Sequence, residues 1–167
     1  MTFLLAVLAV GGSLLLQAAV GAWAPGAQRY VDAMLWPVAY YALARSQRSA
    51  MIVGCAAGLV QDAWFEAGSF GVHGFAKTLL GWALGGVGSR FDLNHLPGQF
   101  FGGAFLFAGD RLVEMGLMLL LDLEVSPIRP AALVAAAAAN GALVTAVFAL
   151  VQRTAGRQAT RPARRRA

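Results

Sequence analysis

Polar and charged positions cut this chain into six apolar runs. Phe3 to Ala24 is continuous and long enough to cross a bilayer as one helix. Val31 to Ala44 is apolar apart from Asp32, and after Arg45, Gln47 and Arg48 a third run ends at Gln61-Asp62. Val72 to Ser89 is the fourth run, closed by Arg90 and Asp92. Pro97-Gly98 opens a fifth that reaches about Leu121 and carries Asp110, Arg111 and Glu114. Past Asp122, Glu124 and Pro127, Pro130 to Gln152 has no charge, with Asn140 and Thr145 as its internal polar residues. The pattern predicts an all-α membrane protein, a bundle of six transmembrane helices over about 3–24, 31–44, 48–63, 72–89, 98–121 and 130–152. The second and third runs are short, as re-entrant segments are. A re-entrant hairpin would leave Arg45 and Arg48 at mid-bilayer at a cost of about 3 kcal/mol or more each, so two tilted spans are expected.

Small residues add a second period. Gly74, Thr78, Gly81, Gly85 and Gly88 recur at steps of four and three, on one ridge of the fourth helix, and Gly54 and Gly58 form GxxxG on the third. Such ridges let backbones approach closely where lipid leaves packing as the main cause of association. They are the expected helix-packing or partner face. The bland alternative is the general glycine richness of membrane helices.

Composition agrees with this placement: 59% of the 167 residues are hydrophobic and 13% charged, with mean hydropathy +0.64. That is too apolar for one soluble domain to hide. Ala22-Trp23-Ala24 resembles a signal-peptidase site, but the run lacks a positive n-region and exceeds a usual h-region, so the first helix is expected to be retained. Cys55 is the only cysteine, which excludes an intramolecular disulfide.

Charge sets the orientation. Arg45, Arg48, Arg90 and the tail arginines (Arg153, Arg157, Arg161, Arg164, Arg165 and Arg166) fall on one side of a six-span layout, against Arg29 and Arg129 on the other. The positive-inside rule then places both termini in the cytoplasm, at the inner membrane. Residues 153–167 read as a basic, disordered tail that anchors to anionic lipid rather than to nucleic acid.

Ionisable groups within spans need partners. Counted from the predicted outer ends, Lys77 and Glu114 lie roughly 8 to 11 Å deep on consecutive antiparallel helices, and are expected to pair. Asp62, Lys77, Asp110, Arg111 and Glu114 would then form one intramembrane ion cluster. Its purpose stays open between fixing helix register, contacting another membrane protein and lining a small-ligand or proton-relay site. Asp62 and Glu66 are an i,i+4 carboxylate pair with nothing else to support a cation site. His73 and His95 have no second ligand at metal spacing. No GxSxG, HExxH, phosphate-binding glycine loop or CxxC is present, so neither enzyme activity nor a cofactor is expected.

The stretch Tyr30 to Asp92 resembles the rod shape-determining protein MreD family. The matching features are Gly58-Leu59-Val60-Gln61-Asp62 at a helix end and the turn through Gly68, Gly71, Val72 and His73 into an apolar helix closing near Arg90. Tyr30-Val31-Asp32 through Arg45 also fits that family's second span. The resemblance implies a non-catalytic inner-membrane component of the bacterial elongation machinery, with Gln61, Asp62, Gly71 and His73 as the family-like turn. It further implies binding to MreC, and through it to MreB, RodA and a class B penicillin-binding protein, with a homo-oligomer as a further possibility. The alternative is the substrate-binding membrane component of an energy-coupling-factor vitamin transporter, similar in size and six-helix layout. That protein would need an outer pocket lined by Lys77, Asp110, Arg111 and Glu114.

Overall fold

The computed structural model describes residues 3–43, 46–65, 70–125 and 129–159. Within them lie six α-helices: α1 (Phe3–Trp23), α2 (Leu35–Leu43), α3 (Gln47–Phe65), α4 (Val72–Arg90), α5 (Leu96–Leu120) and α6 (Pro130–Ala159). Arg45, Glu66, Gly68, Pro127 and the arginines beyond Ala159 fall outside the described residues. Five of the six helix starts and five of the six helix ends lie within two residues of the hydrophobic pattern, the usual scatter of such boundaries.

α3 and α4 form the closest pair, antiparallel and in backbone contact. A Cβ placed on Gly58 would fall on the His73 carbonyl and on Gly74, one on Gly54 would meet the Lys77 carbonyl, and one on Gly81 would lie 2.5 Å from the Ala50 carbonyl oxygen. Gly85 faces Gln47 in the same seam, while Gly88 turns to the Ala42 carbonyl of α2. Thr78 occupies a half-buried place on this ridge and returns its hydroxyl to the Gly74 carbonyl at 2.6 Å. Its polar atom is thereby satisfied without leaving the helix. The glycine ridge is therefore spent on packing inside the chain.

α2 is the hub. Leu35, Val38, Ala39, Ala42 and Leu43 are buried, and the helix touches α1, α3, α4, α5 and α6. It has nine residues, about 14 Å of rise against roughly 30 Å of hydrocarbon. The expected helical span 31–44 is thus corrected: the helix begins only at Leu35, and Val31 to Met34 are non-helical. Pro37 gives the reason. It has no N–H to bond the carbonyl four residues back and its ring crowds that carbonyl, which blocks extension of the helix towards Val31.

The tail also differs from expectation, because α6 continues past Gln152 to Ala159. Ala, Arg and Gln dominate that extension, and all three are strong helix formers.

Large apolar side chains cover the outside. Leu4, Leu8, Leu15, Ile52, Phe75, Trp82, Phe101, Leu112 and Val134 are all exposed. Two helices among the described residues, at Leu4–Trp23 and Pro130–Arg153, are long and apolar enough to cross a membrane. Trp23 ends α1 and Trp64 lies near the end of α3, both exposed at the same end of the bundle.

Candidate functional site

The non-helical bend before α2 leaves backbone groups that have no helical partners. Side chains from α1 and α6 supply them. Gln17 accepts from the Ala33 N–H at 2.8 Å and donates to the Val31 carbonyl at 3.2 Å. Asn140 donates to the Tyr30 carbonyl at 2.7 Å and accepts from the Asp32 N–H at 3.2 Å. Asp32 Oδ1 accepts from the Met34 N–H at 2.9 Å, closing the turn that starts α2. Buried irregular backbone persists only where its N–H and C=O groups are satisfied in this way.

The bend delivers Asp32 into the middle of the bundle. Its second carboxylate oxygen and one oxygen of Asp110 each accept a hydrogen bond from Lys77 Nζ at 2.8 Å. The side chains of Lys77 and Asp32 have no exposure and that of Asp110 has 1%. One ammonium held between two carboxylates from different segments is a three-way staple of the bend before α2, α4 and α5. The other Asp110 oxygen, Oδ1, is buried with no hydrogen-bond partner.

A second polar chain borders the first. Asp62, at the end of α3, accepts from the Gly71 and Gly74 N–H groups at 3.0 Å and from the His73 N–H at 3.2 Å. A carboxylate there satisfies the free N–H groups of α4 and complements its dipole. Gly71 lies at φ 102°, in the left-handed region, with nothing near where a Cβ would be, so its backbone angle rather than its size requires glycine. His73 Nδ1 is 2.8 Å from Asp62 Oδ1, and its Nε2 is 3.5 Å from Glu114. Glu114 accepts from Arg111 at 2.7 Å. Gln61 is buried one residue before Asp62.

The expected Lys77–Glu114 pair is therefore corrected. Both residues sit in the cluster, but Lys77 pairs with Asp32 and Asp110, while Glu114 pairs with Arg111. Depth counted along straight helices does not say which way a side chain points, and α2's bend brings in a nearer carboxylate. Asp32, which is not one of the five residues of the expected cluster, is a fully buried member of it. Its signal was an acid just before a helix with proline inside the first turn.

Beside Arg111 and Glu114 opens a cavity of about 500 Å³, bounded also by Arg29, Met115, Met118 and Arg129. Lys77 and Asp110 are not among its walls, so of the four residues expected to line an outer pocket only Arg111 and Glu114 do so. An apolar groove of about 350 Å³ runs between α1, α2 and α6, past Leu5, Ser13, Trp36, Tyr40 and Val147. Among the described residues, no three His, Cys, Asp or Glu side chains are grouped to hold a metal ion.

No curated protein and no solved structure matches this chain. One family does, described as rod shape-determining protein MreD, and its match runs over residues 1–154 and so takes in the bend, the staple and the Asp62 cap. With nearly the whole helical bundle inside that match, the chain belongs to the rod shape-determining protein MreD family, a membrane family.

Proposed function

We propose that this protein is a non-catalytic scaffold of the bacterial cell-elongation complex in the inner membrane, acting by binding MreC and, through it, MreB, RodA and a class B penicillin-binding protein. The observation that carries the reading is the family match across residues 1–154. The distribution of polar groups supports it. Lys77, Asp32, Asp110 and Asp62 are consumed in holding helices together, which suits a rigid scaffold. The exposed faces of α1, α4 and α5 carry the apolar side chains that a partner helix would meet. α1 is the least enclosed, and Gly11 and Gly12 there have open space where a Cβ would stand.

In this reading the chain crosses the membrane several times, with both termini cytoplasmic and the arginines after α6 on anionic lipid. The short α2 reaches only part of the way, while the bend before it completes the passage inside protein.

The test is a pull-down of the tagged chain from its native membrane in mild detergent, with mass spectrometry of co-purified proteins. Recovery of MreC with peptidoglycan-elongation proteins is expected. Recovery of transporter ATPase subunits in their place would overturn the scaffold reading and favour the vitamin-transporter alternative.

A further inference from the structure

The cavity at the α5–α6 end has a wall chemistry that the scaffold role does not use. Three guanidinium groups border it, from Arg29, Arg111 and Arg129, against the carboxylates of Glu114 and Glu124. Arg111 is committed: it donates to Glu114 at 2.7 Å and its guanidinium stands 5.5 Å from the Phe107 ring centroid. Arg29 and Arg129 differ from it. Both are exposed, and they come from separate segments, the α1–α2 connection and the residue before α6. The lining is thus net cationic at its mouth and has a fixed ion pair at its inner end.

The remaining wall is apolar. Met115 and Met118 of α5 face the cavity together with Val125 and Ala132, and thioether side chains adapt to irregular apolar shapes. Arg111 lies nine positions before Leu120, the last residue of α5, so the slot follows the helix for about 14 Å from its end. A volume of about 500 Å³ is within the range of small-molecule sites. Trp23 and Trp64 mark this end of the bundle, and exposed tryptophans at helix ends lie at headgroup level in membrane proteins.

We propose that this cavity binds a phosphate group, presented by an anionic phospholipid headgroup or by a free phosphate, between Arg29 and Arg129, with any acyl or glycerol portion against Met115 and Met118. Guanidinium forks suit phosphate oxygens, and two forks from different segments can share one phosphate. The site stands whichever side of the membrane this end faces, and it does not depend on the scaffold reading.

The test uses the full chain in mild detergent, with native mass spectrometry of bound lipid. Phosphatidylglycerol is compared with diacylglycerol of the same acyl chains, for the wild type and for Arg29→Gln, Arg129→Gln and Arg90→Gln. Arg90 is exposed at the opposite end of α4 and serves as the charge control. Phosphatidylglycerol is expected to be retained and diacylglycerol lost. Arg29→Gln and Arg129→Gln should each weaken retention about tenfold, as for loss of a charged hydrogen bond, while Arg90→Gln leaves it unchanged. Thermal midpoints of the variants should match the wild type, since both arginines are exposed. Displacement by millimolar inorganic phosphate would assign the site to the phosphate group itself, and resistance to it would assign it to the whole headgroup and chains. Equal retention of the two lipids, or equal loss in all three variants, would overturn the proposal.

Discussion

Asp32 and Lys77, 45 positions apart, meet in the centre of the bundle at 2.8 Å with no solvent exposure on either side chain. Asp110 completes the staple from α5 at the same distance. Removing the ammonium alone would leave two carboxylates facing each other in apolar surroundings. Lys77→Met should therefore destabilise the bundle by about 3–5 kcal/mol. The triple change Lys77→Met, Asp32→Asn, Asp110→Asn removes the charges together and should recover most of that loss. Thermal unfolding of the purified chain in detergent checks both. A triple variant no better than Lys77→Met would mean that the cost comes from lost packing rather than from orphaned charge.

The α3–α4 seam makes its own prediction. Gly58→Ala and Gly54→Ala each drive a methyl into backbone on the facing helix, where no rotamer change relieves it. Each should cost about 1–3 kcal/mol. Gly12→Ala and Gly116→Ala introduce the same methyl into open space, and should be neutral or gain the usual alanine propensity of about 1 kcal/mol. The contrast is read from the order of the four melting midpoints in one detergent.

These positions also show what one sequence makes legible. Helical class and membrane family follow from local signals, namely long apolar runs and the Gly58 to Asp62 and Gly71 to His73 segments. The glycine recurrence is visible for the same reason, since its period is that of one helix. Side-chain partnership is different, because it depends on how elements are rotated and offset. Lys77 and Glu114 stand at similar depth by counting, yet they point to different neighbours. The bend at Val31 to Met34 was hidden because its residues, Asp32 apart, are apolar and read as a continuation of α2. Only Pro37, and the distant amides of Gln17 and Asn140, mark where the helix cannot run.

Asp62 tests how much one carboxylate contributes to a helix start. It receives three backbone N–H groups and lies against the His73 ring. Asp62→Ala should cost about 2–3 kcal/mol, above the roughly 1 kcal/mol of an ordinary cap, because the freed groups are partly or fully buried. Asp62→Asn keeps one acceptor oxygen and should lie between. Hydrogen exchange of the Gly71 to Gly74 amides localises the effect: in Asp62→Ala it should accelerate there first, ahead of the rest of α4.

The last prediction concerns the bend. Asn140 serves two backbone groups of the Tyr30 to Asp32 segment while also returning a bond to Ala136 in its own helix. Replacing it with Leu keeps a similar volume but orphans a buried N–H and removes the donor to the Tyr30 carbonyl, at about 1–3 kcal/mol for each buried group left unpaired. Gln17→Leu acts on Val31 and Ala33 in the same way. Both amides hold one rigid segment, so their effects should not add: once one side of the bend is released, the other amide has less fixed backbone to bind. A double-mutant cycle on unfolding free energy should give a coupling of about 0.5 kcal/mol or more. Strict additivity would show instead that the two amides act on independent parts of the chain. Loss of the bend's order should also loosen Asp32 from Lys77, so Asn140→Leu is expected to lessen the cost of a following Asp32→Asn.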